Sequence, residues 1–221
     1  VSPDTASALL LSLRVAVLAT LLNALVGIPL AYLLARRRFR GRSLVDLLTT
    51  LPLVLPPTVT GYYLIVLLGR RGWLGGPVYQ LTGWSVAFTW YAAVITATVM
   101  ALPLLVRTAK AAFESVDRDL ERAAYTLGRS ELRTALEVTL PLARNGVLAG
   151  LVLAFARALG EFGATLMLAG NIPGKTSTVP LAIYTAVQTG EETTALVLVG
   201  ILTALSCLVI VAANRLGARA T

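Results

Sequence analysis

The sequence predicts an all-α, polytopic membrane protein of about five transmembrane helices, N-terminus out and C-terminus in, forming one domain over residues 1–221. Three observations carry this. First, apolar residues make up 57% of the chain and charged residues 14%, with a mean hydropathy of +0.78. A soluble domain carries about 25% charged residues, so this chain cannot cover a water-facing surface, and its apolar content excludes disorder. Second, several uncharged runs reach the roughly 20 residues that a helix needs to cross hydrocarbon. Third, Lys and Arg lie unevenly about those runs, as they do in membrane proteins that keep positive charge in the cytoplasm.

The opening VSPDTASA has no basic stretch and no small-residue cleavage pattern, so the first run, Val15–Ala35, is expected to be a retained helix. Leu47–Leu68 is the second span, interrupted by Pro52, Pro56 and Pro57. Each proline removes an amide donor and crowds the preceding turn, and in lipid the freed carbonyls must find partners or face a cavity. The break is either a kink tolerated against neighbouring helices or part of a path, with Thr58, Thr60 and Tyr62 as donors. The stretch between Arg71 and Arg107 is uncharged but begins Gly/Pro-rich, which places the third span near Trp84–Val106. Gly146–Ala169 is the fourth, apolar except for Arg157 and Glu161, and Thr193–Ala213 the fifth.

Five crossings put the termini on opposite sides. Fourteen basic residues then fall on one side (Arg36 to Arg42, Arg107 to Arg144, Arg215 and Arg219) and four on the other (Arg14, Arg70, Arg71 and Lys175). The net charge of +8 is thereby explained without a nucleic-acid partner. The chain has no His, and its single Cys, Cys207, lies in the apolar run LSCLVIV. Neither a His/Cys zinc site nor a nucleophile–His dyad can be built from it; no catalytic residue, metal or cofactor is expected.

Arg157 and Glu161 stand four apart, hence on one helix face. A lone Arg at mid-bilayer costs about 2.5–3.5 kcal/mol even on the lenient insertion scale, so neither side chain should face lipid. They are either a mutually neutralising pair buried between helices or a pathway or gate element, together with Thr165. Gly146, Gly150, Ala154 and Ala158 form one stripe of small residues, and Ala156, Gly160 and Ala164 a second; such stripes let helices pack closely. One fits packing within the chain, the other a second copy or the pathway.

Between the third and fourth spans lies RTAKAAFESVDRDLERAAYTLGRSELRTALEVTLPLAR. Asp117 can cap a short helix, in which Leu120, Ala123, Ala124 and Leu127 recur at helical spacing to give a small apolar face. Gly128 stands where a left-handed residue would end it. Ser130 can cap a second helix running to Leu140–Pro141. That apolar face packs either on the chain's own helix ends or in a groove of a cytoplasmic partner. On the outer side, Asn171, Lys175 and Thr176 surround a Pro173-Gly174 turn, followed by a short helix around Val179–Gln188; this is either an ordinary loop or an outer gate or contact for another protein. Gly174-Lys175-Thr176 resembles the tail of a phosphate loop, but the required first Gly is Ala169.

The motif ERAAYTLG…VTLP resembles the coupling loop of binding-protein-dependent ABC importer permeases, with Glu121, Ala123, Ala124, Gly128, Leu140 and Pro141 in the motif positions and Arg122 inserted after the Glu. GEFGA resembles the oxyanion branch shared by molybdate and sulfate permeases. NIPGKTSTVPLAIY, LPLVLPPTVTGYYL and GRRGWLG are similar to the molybdate permeases. The resemblance runs from about Leu9 to Leu216. It implies a permease subunit that imports molybdate or tungstate across a bacterial or archaeal cytoplasmic membrane. It further implies a second permease copy, two ATPase subunits that bind ATP and Mg, and a periplasmic or lipid-anchored oxyanion-binding protein. The ATPases would grip Leu120, Glu121, Ala123, Ala124, Leu127 and Gly128, and the binding protein would meet Asn171, Lys175 and Thr176. The alternatives are a sulfate permease and, from another class, a membrane scaffold or enzyme subunit that transports nothing.

Overall fold

A computed structural model describes residues 3–218, of which the side chains are described for residues 5–211. All regular structure among these residues is helical. Helix α1 (Pro3–Arg36) is followed by a Gly41 turn at φ +89° and by α2 (Arg42–Val54) and α3 (Pro57–Leu68). Then come α4 (Gly75–Thr82), α5 (Trp90–Ser115), α6 (Arg118–Thr126) and α7 (Glu131–Thr134). A π-helical turn, Ala135–Thr139, joins α7 to α8 (Leu140–Leu159). The chain ends with α9 (Gly163–Ala169), α10 (Val179–Thr189) and α11 (Glu192–Ala218).

Four stretches are long and apolar enough to cross a membrane: Thr5–Arg36, Trp90–Ser115, Glu131–Leu159 and Glu192–Val211. The α2–α3 pair supplies a fifth only as a broken unit, bent by 119°. Its break is local chemistry. Leu55 precedes a proline and is extended, and Pro56 and Pro57 have no amide to continue the helix, so Pro57 becomes the first residue of a new one. At about 1.5 Å per residue neither half alone reaches across roughly 30 Å of hydrocarbon.

Side-chain contacts fix how the spans run. The Arg14 guanidinium lies 3.8 Å over the Trp90 ring, the Tyr32 and Phe113 rings meet edge-on at 5.6 Å, and Arg36 Nη2 donates to the Val116 carbonyl at 2.9 Å. Helices α1 and α5 are therefore parallel, and the segment between Arg36 and Trp90 must carry the chain back from one end to the other. Helix α8 runs against α5, with Gly146 beside Ala112 and Gly150 beside Leu105. The stripe Gly146–Gly150–Ala154–Ala158 thus packs within the chain, with Ala154 and Ala158 buried. The core lies where α1, α5 and α8 meet, around Ala31, Leu34, Ala97, Ala101, Leu105 and Ala154.

Several sequence expectations are corrected. The third span begins at Trp90, not Trp84, because Thr89 accepts from Ala92 N and caps it there; it then continues through Arg107 and Lys110 to Ser115. The helix capped by Ser130 does not stop at Leu140–Pro141. Proline at a helix start loses nothing, and the π turn absorbs it, so the chain runs on into α8. The fourth span is not continuous to Ala169: it breaks at Gly160–Phe162, and the second small-residue stripe is divided with it. Exposed Gly160 and buried Ala164 face different surroundings. The short outer helix appears as α10, tied to α1 by a 2.7 Å bond from Val179 N to Ser12 Oγ. Of the basic residues used to orient the chain, Arg219 and the Arg215 side chain lie outside the described residues.

Helix α3 packs on α9 through two glycines. A Cβ at Gly61 would stand 2.8 Å from Ala164 Cα, 2.8 Å from Met167 Cβ and 3.0 Å from the Ala164 carbonyl. Backbone cannot step aside as a side-chain tip can, so Gly61→Ala is expected to cost about 1–3 kcal/mol. Thermal melting of the purified protein checks this; an unchanged melting temperature would mean the two helices are free to separate.

Candidate functional site

Three groups of residues carry polar chemistry beyond helix packing. The first is built on α6. Asp117 Oδ1 accepts from Asp119 N at 2.9 Å and starts the helix; Gly128 at φ +78° ends it; Ser130 Oγ accepts from Arg133 N at 3.4 Å and starts the next. All three follow the sequence expectation. The apolar face does not hold together as expected. Ala124 is buried, whereas Leu120 is 49% exposed, Leu127 83% exposed, and Ala123 exposed. At 100° per residue the side pointing inward is the one bearing Glu121 and Ala124.

Glu121 is the anchor of this element. Its carboxylate lies 3.0 Å from Arg36 Nε, and Thr139 Oγ1 donates to it at 2.6 Å. Both charged side chains are nearly inaccessible, at 6% for Arg36 and 9% for Glu121. The π turn inserts an extra residue ahead of Thr139, next to its buried hydroxyl. One carboxylate thus ties α6 to the end of α1 and to the start of the fourth span. Arg37 pairs with Glu131 alongside. The Tyr125 hydroxyl is pushed above its ordinary pKa by burial first and then by the Glu121 and Glu131 charges, so it remains a neutral donor. Sequence reading missed Arg36 and Thr139; they stand 85 and 18 residues from Glu121, and no helical spacing links them.

The second group lies at the break between α8 and α9. Arg157 Nη2 meets Glu161 Oε2 at 2.8 Å. The pairing is as expected, but Glu161 is beyond the helix end, and its other oxygen accepts from Ala164 N at 2.8 Å, satisfying a free amide at the start of α9. Glu161 is buried, while the Arg157 side chain keeps 25% exposure. Thr165 is buried and bonds Thr96 Oγ1 at 2.9 Å. Thr60 is buried and Thr58 exposed, the latter beside Gly163. Of the five pathway candidates, Thr58 and Arg157 are the ones that keep exposure in this chain.

The third group is the loop between α9 and α10. Asn171 Nδ2 donates to Thr185 Oγ1 at 2.7 Å, and Thr176 Oγ1 accepts from Ile172 N at 2.9 Å. The Asn171 side chain holds the loop on α10, and the Thr176 side chain closes the turn within the loop. Lys175, exposed next to the left-handed Gly174, is the one of the three candidates that faces outward.

Residues 27–221 match the family described as "Binding-protein-dependent transport system inner membrane component". The chain is 51% identical over 182 residues to the Molybdenum transport system permease protein ModB of Escherichia coli (strain K12), covering 82% of this chain and 80% of that one. It is 51% identical over 191 residues to ModB of Haemophilus influenzae, covering 86% and 83%. It is 43% identical over 185 residues to the Putative molybdenum transport system permease protein YvgM of Bacillus subtilis (strain 168), covering 84% and 82%. Among solved structures, a chain of the MetNI methionine ABC transporter in an inward facing conformation superimposes with a TM-score of 0.75 at 17% identity, with all of both chains covered. A bacterial ABC transporter involved in the import of the acidic polysaccharide alginate gives 0.77 at 16% identity, covering 99% of this chain and 80% of that one. At those identities the likeness is one of fold.

Proposed function

The chain belongs to the family of binding-protein-dependent transport system inner membrane components, and from that premise we propose that it is the membrane-spanning subunit of an ATP-driven molybdate importer. The cargo assignment rests on its 51% identity to proteins that carry molybdenum transport in their names. The chain works as a transport component, not an enzyme: no bond of the cargo is made or broken. Tungstate, a dianion of the same shape, is the second cargo. A dianion cannot enter hydrocarbon unaided, so the path must be protein-lined and must release what it binds.

The observation that carries the mechanical part is α6 itself. It is held from within by the buried Glu121–Arg36 pair, while Ala123, Leu127 and about half of Leu120 are left exposed by this chain. A rigid lever with an unpartnered apolar face is what a cytoplasmic ATPase subunit can grip and move. Movement of α6 is transmitted to the first span through Arg36 and to the fourth through Thr139. The Arg36 end is the cytoplasmic one in this reading, supported by the twelve basic residues from Arg36 to Arg42 and from Arg107 to Arg144. ATP and Mg then belong to the ATPase partners. Lys175 faces the side from which an oxyanion-binding protein delivers cargo.

A second copy of the chain completes the pathway. The exposed Leu44, Leu48, Tyr62, Tyr63 and Val66 on α2 and α3 offer an apolar surface for it. The path runs beside the first turn of α3 and the end of α8, where Thr58 and Arg157 keep exposure.

Leu127→Glu tests the lever directly. The side chain is 83% exposed, so the chain should fold and melt as before. A charge in the centre of a docking face costs several kcal/mol through desolvation, so ATPase subunits should no longer co-purify, and ATP-dependent molybdate uptake into vesicles should stop. Uptake at the wild-type rate would refute the docking role of α6. Equal competition by sulfate would refute the choice of cargo.

A further inference from the structure

Two cavities adjoin at the Arg36 end of the molecule and share Tyr32 and Glu131 in their walls. One, of about 710 Å³, is almost wholly apolar and is lined by Ile28, Leu33, Leu132, Leu136 and Leu140. It opens outward: Leu132 is 69% exposed and Leu136 57%. Leu33 is one turn short of Arg36, and Leu132 to Leu140 begin the fourth span, so this cavity sits just inside the hydrocarbon boundary. The other, of about 510 Å³, is lined by Arg36, Arg37, Arg118 and Arg122 against Glu121 and Glu131. Four guanidinium groups against two carboxylates leave it cationic.

The charges are not equally committed. Arg36 is taken by Glu121 and the Val116 carbonyl, and Arg37 by Glu131. Arg122 bonds Asp119 at 2.8 Å in an exposed pair of little strength. Arg118 has no hydrogen bond or ion pair among the described residues. Arg118 and Arg122 are one turn apart and point into the cationic cavity. On a helical wheel they lie roughly 140–180° from Leu120 and Leu127, so the two leucines given to the ATPases point away from them.

From this juxtaposition we infer that the two cavities together hold one anionic phospholipid of the cytoplasmic leaflet, acyl chains against Leu132–Leu140 and the head phosphate between Arg118 and Arg122. An occupant apolar at one end and anionic at the other matches the paired cavities. A free phosphate would leave the apolar cavity unexplained, and a helix from a second copy would leave the arginines unmatched. The site goes beyond the cargo reading and does not depend on it. It requires only that Arg36 marks the cytoplasmic boundary.

Native mass spectrometry of the full chain, titrated with phosphatidylglycerol or phosphatidylcholine of equal acyl length, tests this without any transport readout. Wild type should retain phosphatidylglycerol about 25-fold more tightly, the product of the two basic groups. Arg118→Gln with Arg122→Gln should weaken phosphatidylglycerol by about fivefold per charge, from roughly 1 kcal/mol for each basic group near a membrane surface, and leave phosphatidylcholine unchanged. Leu136→Trp, at an exposed position that fills the apolar cavity, should weaken both lipids. Equal retention of the two lipids by wild type, retention of neither, or full displacement by inorganic phosphate would each overturn the proposal.

Discussion

Replacing Glu121 by alanine will release α6 from the molecule and abolish ATP-dependent uptake while leaving the spans in place. The physical reason is an asymmetry of buried charge. The Arg36 side chain, only 6% accessible, lies 3.0 Å from Glu121 and would lose its counter-ion. Removing one member of a buried pair costs about 3–5 kcal/mol, most of it the penalty of the charge left behind. Thr139 Oγ1 loses its short acceptor at the same time and keeps only the Thr134 carbonyl at 3.5 Å. Glu121→Gln should recover only part of that cost: its amide oxygen can still accept a hydrogen bond, but the buried Arg36 charge remains without a counter-ion. Arg36→Met with Glu121→Leu should recover most of the loss, since an apolar pair of similar volume leaves no charge unpaired. Hydrogen exchange over Arg118–Thr126, read beside uptake, decides the matter. Unchanged protection of those amides in Glu121→Ala would show that the carboxylate does not anchor the helix.

This expectation also marks where the sequence could be read and where it could not. The short helix, its Asp117 and Ser130 caps and its Gly128 stop were legible, because each is a local rule within four residues of backbone. The orientation of its faces was not. Glu121 looks like a surface charge at helical spacing, and only packing reveals that it turns inward and Leu127 outward. The partner, Arg36, stands in a run of basic residues that reads as ordinary charge at a membrane boundary. The same division holds for the spans. Apolar runs gave the order of the four continuous spans, while the fifth stands only as the bent α2–α3 pair. Their ends moved by several residues where a cap decided them, as Thr89 does for α5. The Pro56-Pro57 break was visible, but not its 119° bend, which depends on α3 lying against α9.

The pathway candidates illustrate the limit from another side. Thr165 is a pathway candidate by its hydroxyl, yet it spends that hydroxyl on Thr96, just as the binding-protein contact candidate Asn171 spends its amide on Thr185. Residue type identifies a donor; it does not say whether the donor is free. In a membrane protein most internal donors must satisfy the fold before they can serve a solute, so exposure at Thr58, Arg157 and Lys175 carries more weight than chemistry alone.

Arg157→Leu should destabilise the protein by about 3–5 kcal/mol, a larger effect than any change at its partner. The two members of the pair are not equivalent. Glu161 is enclosed, with 2% of its side chain accessible, while Arg157 retains 25% and has a long stem on which to reach water. Loss of Arg157 therefore strands a carboxylate that cannot move, because its other oxygen is fixed on Ala164 N. Glu161→Gln leaves a guanidinium that can turn outward, and its amide oxygen can still satisfy the start of α9, so the cost should be roughly 1.5–3 kcal/mol, the range for a hydrogen bond to a charged group. In Arg157→Leu with Glu161→Gln no charge is buried, and most of the lost stability should return. Thermal melting of the four proteins closes a double-mutant cycle. A double variant no more stable than Arg157→Leu would mean that the pair is not coupled and that the break between α8 and α9 is held open by something else.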